Sequence, residues 1–124
     1  MQETVLLYNF ADEYRKKQMT GMLTSLHLVV KNIPRQEYEK PIGYLAGISG
    51  VLPLGNVYEG EELPGEMMVF AGLSGEQIDK VLIGFREKGL KKVDYKAVLT
   101  PTNQYWNGLQ LFEELKREHE SFKQ

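Results

Sequence analysis

The chain has 124 residues and a mass of 14.2 kDa, the size of one domain spanning residues 1–124. Its 15 basic and 17 acidic side chains leave a net charge of −2; with 42% hydrophobic and 26% charged residues, this excludes a disordered or fibrous chain and the strong positive field of an electrostatic nucleic-acid binder. The lack of any cysteine excludes a disulfide framework, thiolate metal ligation and a cysteine nucleophile.

The first element is Val5 to Phe10, a nearly continuous apolar run that suits a strand covered on both faces. Asp12 to Thr24 reads as a helix whose apolar side carries Tyr14, Met19, Met22 and Leu23. Asp12 with Lys16 and Glu13 with Lys17 add exposed pairs worth only ~0.2–0.5 kcal/mol each. Leu26 to Lys31 alternates apolar and polar residues, as expected nearer a sheet edge. A weak, short helix is expected from Pro41, covering Ile42, Leu45 and Ala46. The segment 50–66, rich in glycine, proline and glutamate, reads as a long acidic surface loop.

Met67 to Gly72 is a second unpatterned apolar run, hence a second central strand. Ser74 to Lys88 is the strongest helix signal. Ser74 and Gln77 have the spacing of a capping box, Ile78, Val81, Leu82 and Phe85 form one stripe, and Gly89 can end the helix in a left-handed conformation. Val93 to Val98 alternates like the second strand. A last helix is expected to start near Thr102 and run toward Phe122, with Tyr105, Leu109, Phe112, Leu115 and Phe122 at helical spacing and His119 in the same stripe.

A shift of 63 residues lays Leu6-Leu7 on Val69-Phe70 and Phe10 on Leu73, and pairs Glu13 with Glu76, Lys17 with Lys80 and Gly21 with Gly84. The identities are few, but the order strand, helix, strand, helix recurs, and Pro34 and Pro101 each follow the second strand of their unit. Two β-α-β-α units in one domain are the reading. The expected architecture is an α/β three-layer sandwich around a four-stranded, mainly parallel sheet in the order 2-1-3-4. Helices one and four would cover one face, and helices two and three the other. The alternative is a ferredoxin-like α+β sheet with antiparallel edge strands.

The segments Met67-Met68-Val69-Phe70-Ala71-Gly72-Leu73-Ser74-Gly75-Glu76-Gln77, Lys96 to Trp106 and Leu111 to Lys116 resemble a bacterial family known only as a domain of unknown function. The stretch Leu99-Thr100-Pro101-Thr102-Asn103 with Trp106 is the most specific part, and Pro41 to Gly47 extends the likeness. The resemblance implies a bacterial intracellular protein and carries over no reaction, cofactor or catalytic residue.

In an open parallel sheet, ligands bind beyond the carboxyl ends of the strands, where the strand order reverses. That rule nominates a site between strands one and three, built from Asn9, Ser74 and Gly75 and completed by Thr100, Thr102, Asn103 and Trp106. Ser74 and Thr102 would open helices whose first N–H groups favour an anion, the asparagines would add amides, and Trp106 an apolar wall. The competing structural reading makes Ser74 and Thr102 caps, Asn9 a turn former and Trp106 core filling. No glycine-rich phosphate fingerprint accompanies the cluster.

Other groups carry less. Glu59, Glu61, Glu62 and Glu66 lack the ligand spacing of a calcium loop, and Lys91, Lys92 and Lys96 read as surface charge. His27 is expected on the second strand, partly exposed, and His119 on the surface. Neither is placed by sequence to serve Ser74 as a base, so no catalytic residue is assigned. Met1-Gln2-Glu3 lacks the start of a secretory signal, and the longest apolar run falls far short of the roughly 20 residues of a membrane helix.

The sequence thus leads to a cytoplasmic, non-enzymatic regulatory or ligand-binding module for a small anion or carboxylate. No cofactor, metal, nucleic acid or membrane partner is expected. The alternative is an interaction scaffold that forms a homodimer through the C-terminal helix.

Overall fold

A computed structural model describes residues 2–121. Four strands, β1 (Thr4–Tyr8), β2 (Val29–Ile33), β3 (Met67–Ala71) and β4 (Tyr95–Val98), form one sheet in the order β2-β1-β3-β4. The helices are α1 (Glu13–Ser25), α2 (Ile42–Leu45), α3 (Gly75–Glu87) and α4 (Gly108–Ser121), with 3-10 turns at Arg35–Glu37 and Asn103–Tyr105. The mainly parallel α/β sheet expected from sequence is present, because β1 with β2 and β3 with β4 are parallel pairs. The central pair, β1 with β3, is antiparallel. No edge strand is antiparallel to its neighbour, and helices cover both faces, so the ferredoxin-like alternative does not hold.

The direction of β3 goes with a connection that never crosses back over the sheet. A five-residue strand spans roughly 17 Å, whereas a four-residue helix advances about 6 Å, so α2 by itself does not carry the chain back across the sheet, and segment 46–66 does not return it either. After β2 the chain returns to the rim it has reached, and β3 starts there, with Met67 beside Tyr8 and Ala71 beside Thr4.

Leu6 faces Val69 at the centre of the pair, and Pro41 bridges Asn107 outside the sheet. These pairs join residues at equivalent places in the two units and define an approximate two-fold axis perpendicular to the sheet. Helix caps repeat across it. After α1, the N–H groups of His27 and Leu28 donate to Thr24 and Leu23; after α3, those of Gly89 and Leu90 donate to Arg86 and Phe85. His27 and Gly89 share a φ of 64°, and Asn9 (61°) matches Gly72 (80°) past β1 and β3. Left-handed residues are needed at these positions, and the second unit uses glycine for both.

The axis also decides the layers. It turns the second unit in the plane of the sheet, so α3 falls on the face of α1, not of α2. Val5, Leu7, Met68 and Phe70 meet Met19, Met22 and Leu23 of α1 and Val81 and Phe85 of α3 on that face. On the other, Leu6, Tyr8, Met67 and Val69 meet Ile42 of α2 and Leu111 and Phe112 of α4. The expected pairing of helices one with four and two with three is corrected accordingly.

Local differences are small. Tyr14 and, from the stripe expected on α3, Leu82 are exposed rather than packed. His27 belongs to the turn after α1, because β2 starts two residues later. The expected single helix from Thr102 is broken at Trp106, whose extended backbone accepts the N–H of Ile42 at 2.8 Å. α4 restarts at Gly108, where Asn107 and Gln110 bond each other's backbone N–H at 2.8 and 2.9 Å. Phe122 lies outside the described residues. Among those described, no helix is long and apolar enough to cross a membrane.

Segment 46–66 contains no helix or strand and is stitched to the body. Arg15 holds Glu66 through Nε at 2.8 Å and Nη2 at 2.9 Å, a forked pair in which Arg15 is 15% and Glu66 26% exposed. Tyr38 donates its hydroxyl to Glu62, and Tyr58 N–H donates to Gln36 at 3.0 Å.

Candidate functional site

Because β1 and β3 run oppositely, their carboxyl ends lie at opposite rims, and the sequence-nominated cluster divides. At the first rim, Asn9 Nδ2 donates to the carbonyls of Leu63 (2.9 Å) and Gly65 (3.4 Å), so its side chain anchors the long loop. At the second rim, Ser74 Oγ accepts the N–H of Gln77 at 3.2 Å while Gln77 Oε1 accepts that of Ser74 at 2.8 Å. This closed capping box leaves Ser74 as a cap, with Gly75 the first residue of α3.

Thr100, Thr102, Asn103 and Trp106 do come together, beside β4 and α4. Their polar groups are largely consumed. Asn103 is buried; its Oδ1 accepts the N–H of Thr100 at 2.8 Å, and its Nδ2 donates to the Val98 carbonyl at 3.0 Å. Thr100 Oγ1 accepts the Asn103 N–H at 3.0 Å. Thr102 is exposed and makes no side-chain cap. Trp106 is half-buried against the core of the α2/α4 face. The predicted joint site of Asn9, Ser74 and Gly75 with the Thr100–Asn103 turn is therefore not assembled.

The first rim nevertheless holds a cleft of about 280 Å³ beyond the carboxyl ends of the parallel strands β1 and β2. Leu7, Phe10, Ile33 and Pro34 supply apolar lining, and Asn9 lies at its edge. Lys16 of α1 and Arg35 of the first 3-10 turn bring two cations to it. Lys16 pairs with exposed Glu13 at 3.1 Å, a contact that costs little to exchange, and Arg35 forms no ion pair among the described residues. Asn32 is exposed at the lip, and its amide bonds no described residue. Tyr38 and Glu62 form the remaining polar wall. Burial, then the bond to Glu62, push the Tyr38 phenol well above its ordinary value, so it is a neutral donor throughout the physiological range.

The two-fold axis offers a comparison with the second rim. The strand registers set Thr4 beside Val29 and Met67 beside Tyr95, so Asn32 corresponds to Val98 and Arg35 to Pro101. The matching caps of α1 and α3 make Lys16 correspond to Ile78. The second rim thus repeats neither cation, and its turn is filled by the Asn103 amide. Sequence reasoning missed Lys16, Asn32 and Arg35 because it assigned the open rim to the wrong strand pair. Their signal was a cation on each of the two segments that follow β1 and β2.

Lys96 has its pKa lowered by desolvation first and by the charge of Lys92 second, while its ammonium donates to the Val93 carbonyl. His119 packs its ring 5.4 Å from that of Tyr95. Neither histidine lines the cleft, and no group of His, Asp and Glu among the described residues has the arrangement of a metal site.

Residues 66–122 match the family model described as Domain of unknown function (DUF3783). The resemblance seen in the sequence is thereby established over the second β-α-β-α unit, from β3 through α4. No curated protein and no solved structure matches the chain.

Proposed function

We propose that this protein is a non-enzymatic ligand-binding or regulatory module that takes a small anionic molecule, most simply a carboxylate, in the cleft beyond β1 and β2. The observation that carries the reading is the pair of cations, Lys16 and Arg35, converging on an open strand-end cleft beside the free amide of Asn32. Arg35 offers a planar fork suited to a carboxylate or phosphate, and Lys16 a point charge. Glu62 limits the charge the cleft tolerates and favours a monoanion, or a ligand that also presents a donor. A cytoplasmic bacterial setting is part of the proposal, supported by the cysteine-free composition.

The test is a melting-temperature screen with phosphate, nucleotides and a panel of mono- and dicarboxylic acids. A ligand at 100 times its Kd adds about 2.7 kcal/mol of stability. The expected result is a shift with one carboxylate class that disappears in Arg35→Ala and weakens in Lys16→Ala. No shift at millimolar ligand, or one that survives Arg35→Ala, would overturn the reading.

A second reading, a homodimer through α4, is favoured by a mainly apolar cleft of about 420 Å³ along Trp106 and Leu109, flanked by Glu113 and Arg117. An antiparallel copy of the helix would set acidic and basic positions opposite one another. Light scattering at high protein concentration tests it; a monomer there removes it.

A further inference from the structure

The sheet ends in two edges, β2 and β4; the cleft at β2 lies past its carboxyl end, whereas the one at β4 runs along the strand itself. On β4 the register with β3 and the bond from Leu99 N–H to the Phe70 carbonyl (2.8 Å) turn Tyr95 and Ala97 toward β3. The alternation of a parallel ladder then turns the N–H and C=O of Lys96 and the N–H of Val98 outward. None of these three groups has a partner among the described residues. The Val98 carbonyl is already taken by Asn103, which ends the free stretch.

Edge strands are commonly blunted by a lysine lying along them, by proline or by a covering element. β4 has little of this. The Lys96 ammonium turns back to Val93 on its own segment, and Pro101 falls beyond the strand. β2 differs, because its Lys31 reaches across to the Leu45 carbonyl of α2 at 3.0 Å and ties that helix over its flank.

Beside the β4 edge runs a cleft of about 310 Å³, with β4 as one wall and Leu111, Glu114, Leu115 and Glu118 of α4 as the other. Glu114 shares its charge with Arg117 at 2.8 Å, whereas Glu118 forms no ion pair among the described residues. We propose that the free edge of β4 accepts an extended peptide as a fifth strand, with an apolar and a basic side chain two residues apart facing α4. Main-chain bonds to Lys96 and Val98 hold such a strand, and Leu111, Leu115 and Glu118 select its side chains. Alternate residues of an added strand share one face, which is why the spacing is two.

The probe is a fluorescent peptide, acetyl-Val-Thr-Arg-Thr-Val-Thr-amide, with a twin in which Glu replaces Arg. Anisotropy on the full chain gives affinity, and amide NMR gives location. The expected result is binding of the Arg peptide over its Glu twin, with the Lys96 and Val98 amides shifted and protected from exchange. Val98→Pro removes only an outward N–H and weakens binding roughly fivefold to tenfold, as expected for one net hydrogen bond. Glu118→Lys, on the exposed side of a helix, reverses the preference between the twins without touching the sheet. No binding at millimolar peptide, or binding indifferent to both substitutions, overturns the proposal. Self-association abolished by Val98→Pro, without peptide binding, also overturns it and assigns the edge to a second copy.

Discussion

Tyr8 offers the sharpest test of how the α2/α4 face is packed. Its hydroxyl is fully buried and bonds nothing among the described residues, so the native state carries the cost of stripping water from one O–H. That cost is about 1–3 kcal/mol for an unpaired buried polar group. Tyr8→Phe deletes the group and keeps the ring, with its 5.5 Å contact to the Tyr38 ring. The vacated space is roughly 10–15 Å³, and at about 24 cal/mol per Å³ it returns only about 0.3 kcal/mol of cavity cost. The net expectation is a gain of about 1–2 kcal/mol. An unfolding entropy of about 2.1 cal/mol/K per residue gives about 0.26 kcal/mol per kelvin for this chain, so Tm rises by about 4–8 °C. Urea melts supply the assay, with an unchanged slope as the check that the transition is still two-state. A loss of about 0.5 kcal/mol or more would refute the reasoning, because it would mean that the hydroxyl has a partner such as an ordered water.

Gly108→Ala places a Cβ 2.6 Å from Cε2 of the same tyrosine, whose ring is held on all sides, and should cost about 1–3 kcal/mol in denaturant melts. Ser74→Ala opens the capping box of α3 and should lower stability by about 1 kcal/mol while leaving any carboxylate-induced melting shift intact, which distinguishes a cap from a ligand group. His27→Gly relieves a left-handed residue that the second unit builds with Gly89, and is expected to raise stability by up to about 1 kcal/mol in thermal melts. Tyr8 and Tyr38 have phenol pKa values raised by burial above the ordinary 10.0, so the folded state stays protonated where the unfolded chain ionises. Their contribution to stability is complete below pH 10 and is lost as pH rises through the raised values, so urea midpoints should fall from about pH 10 upward. Ultraviolet absorbance should show two of the seven tyrosines ionising only with unfolding.

Much of the fold was readable because the local signals were redundant. The Ser74–Gln77 box, the Ile78–Phe85 stripe and Gly89 all agree on α3, and the two unpatterned apolar runs mark β1 and β3 as central. Strand direction was not readable, since a run covered on both faces looks the same whether its neighbour is parallel or antiparallel. Nor does the connection decide it, because the 33 residues between β2 and β3 are long enough to reach either rim and carry no local signal of which one. The site followed the direction error. Asn9 and Ser74 were each placed correctly at a strand end, yet at opposite rims; of the polar residues that line the open cleft, Lys16 was read only as the helical partner of Asp12, and Asn32 and Arg35 were not singled out. The break at Trp106 was also hidden, because Tyr105 and Leu109 keep helical spacing across a stretch whose backbone is extended to pair with Ile42.

The two-fold architecture would ordinarily supply receptors in pairs. Here the second unit carries Pro101 at the place of Arg35 and Ile78 at the place of Lys16, and the Asn103 amide fills its turn. If the proposed anion binds, the expected titration saturates at one equivalent and follows a simple hyperbola, with no cooperativity between halves. Any steeper response would have to arise between chains.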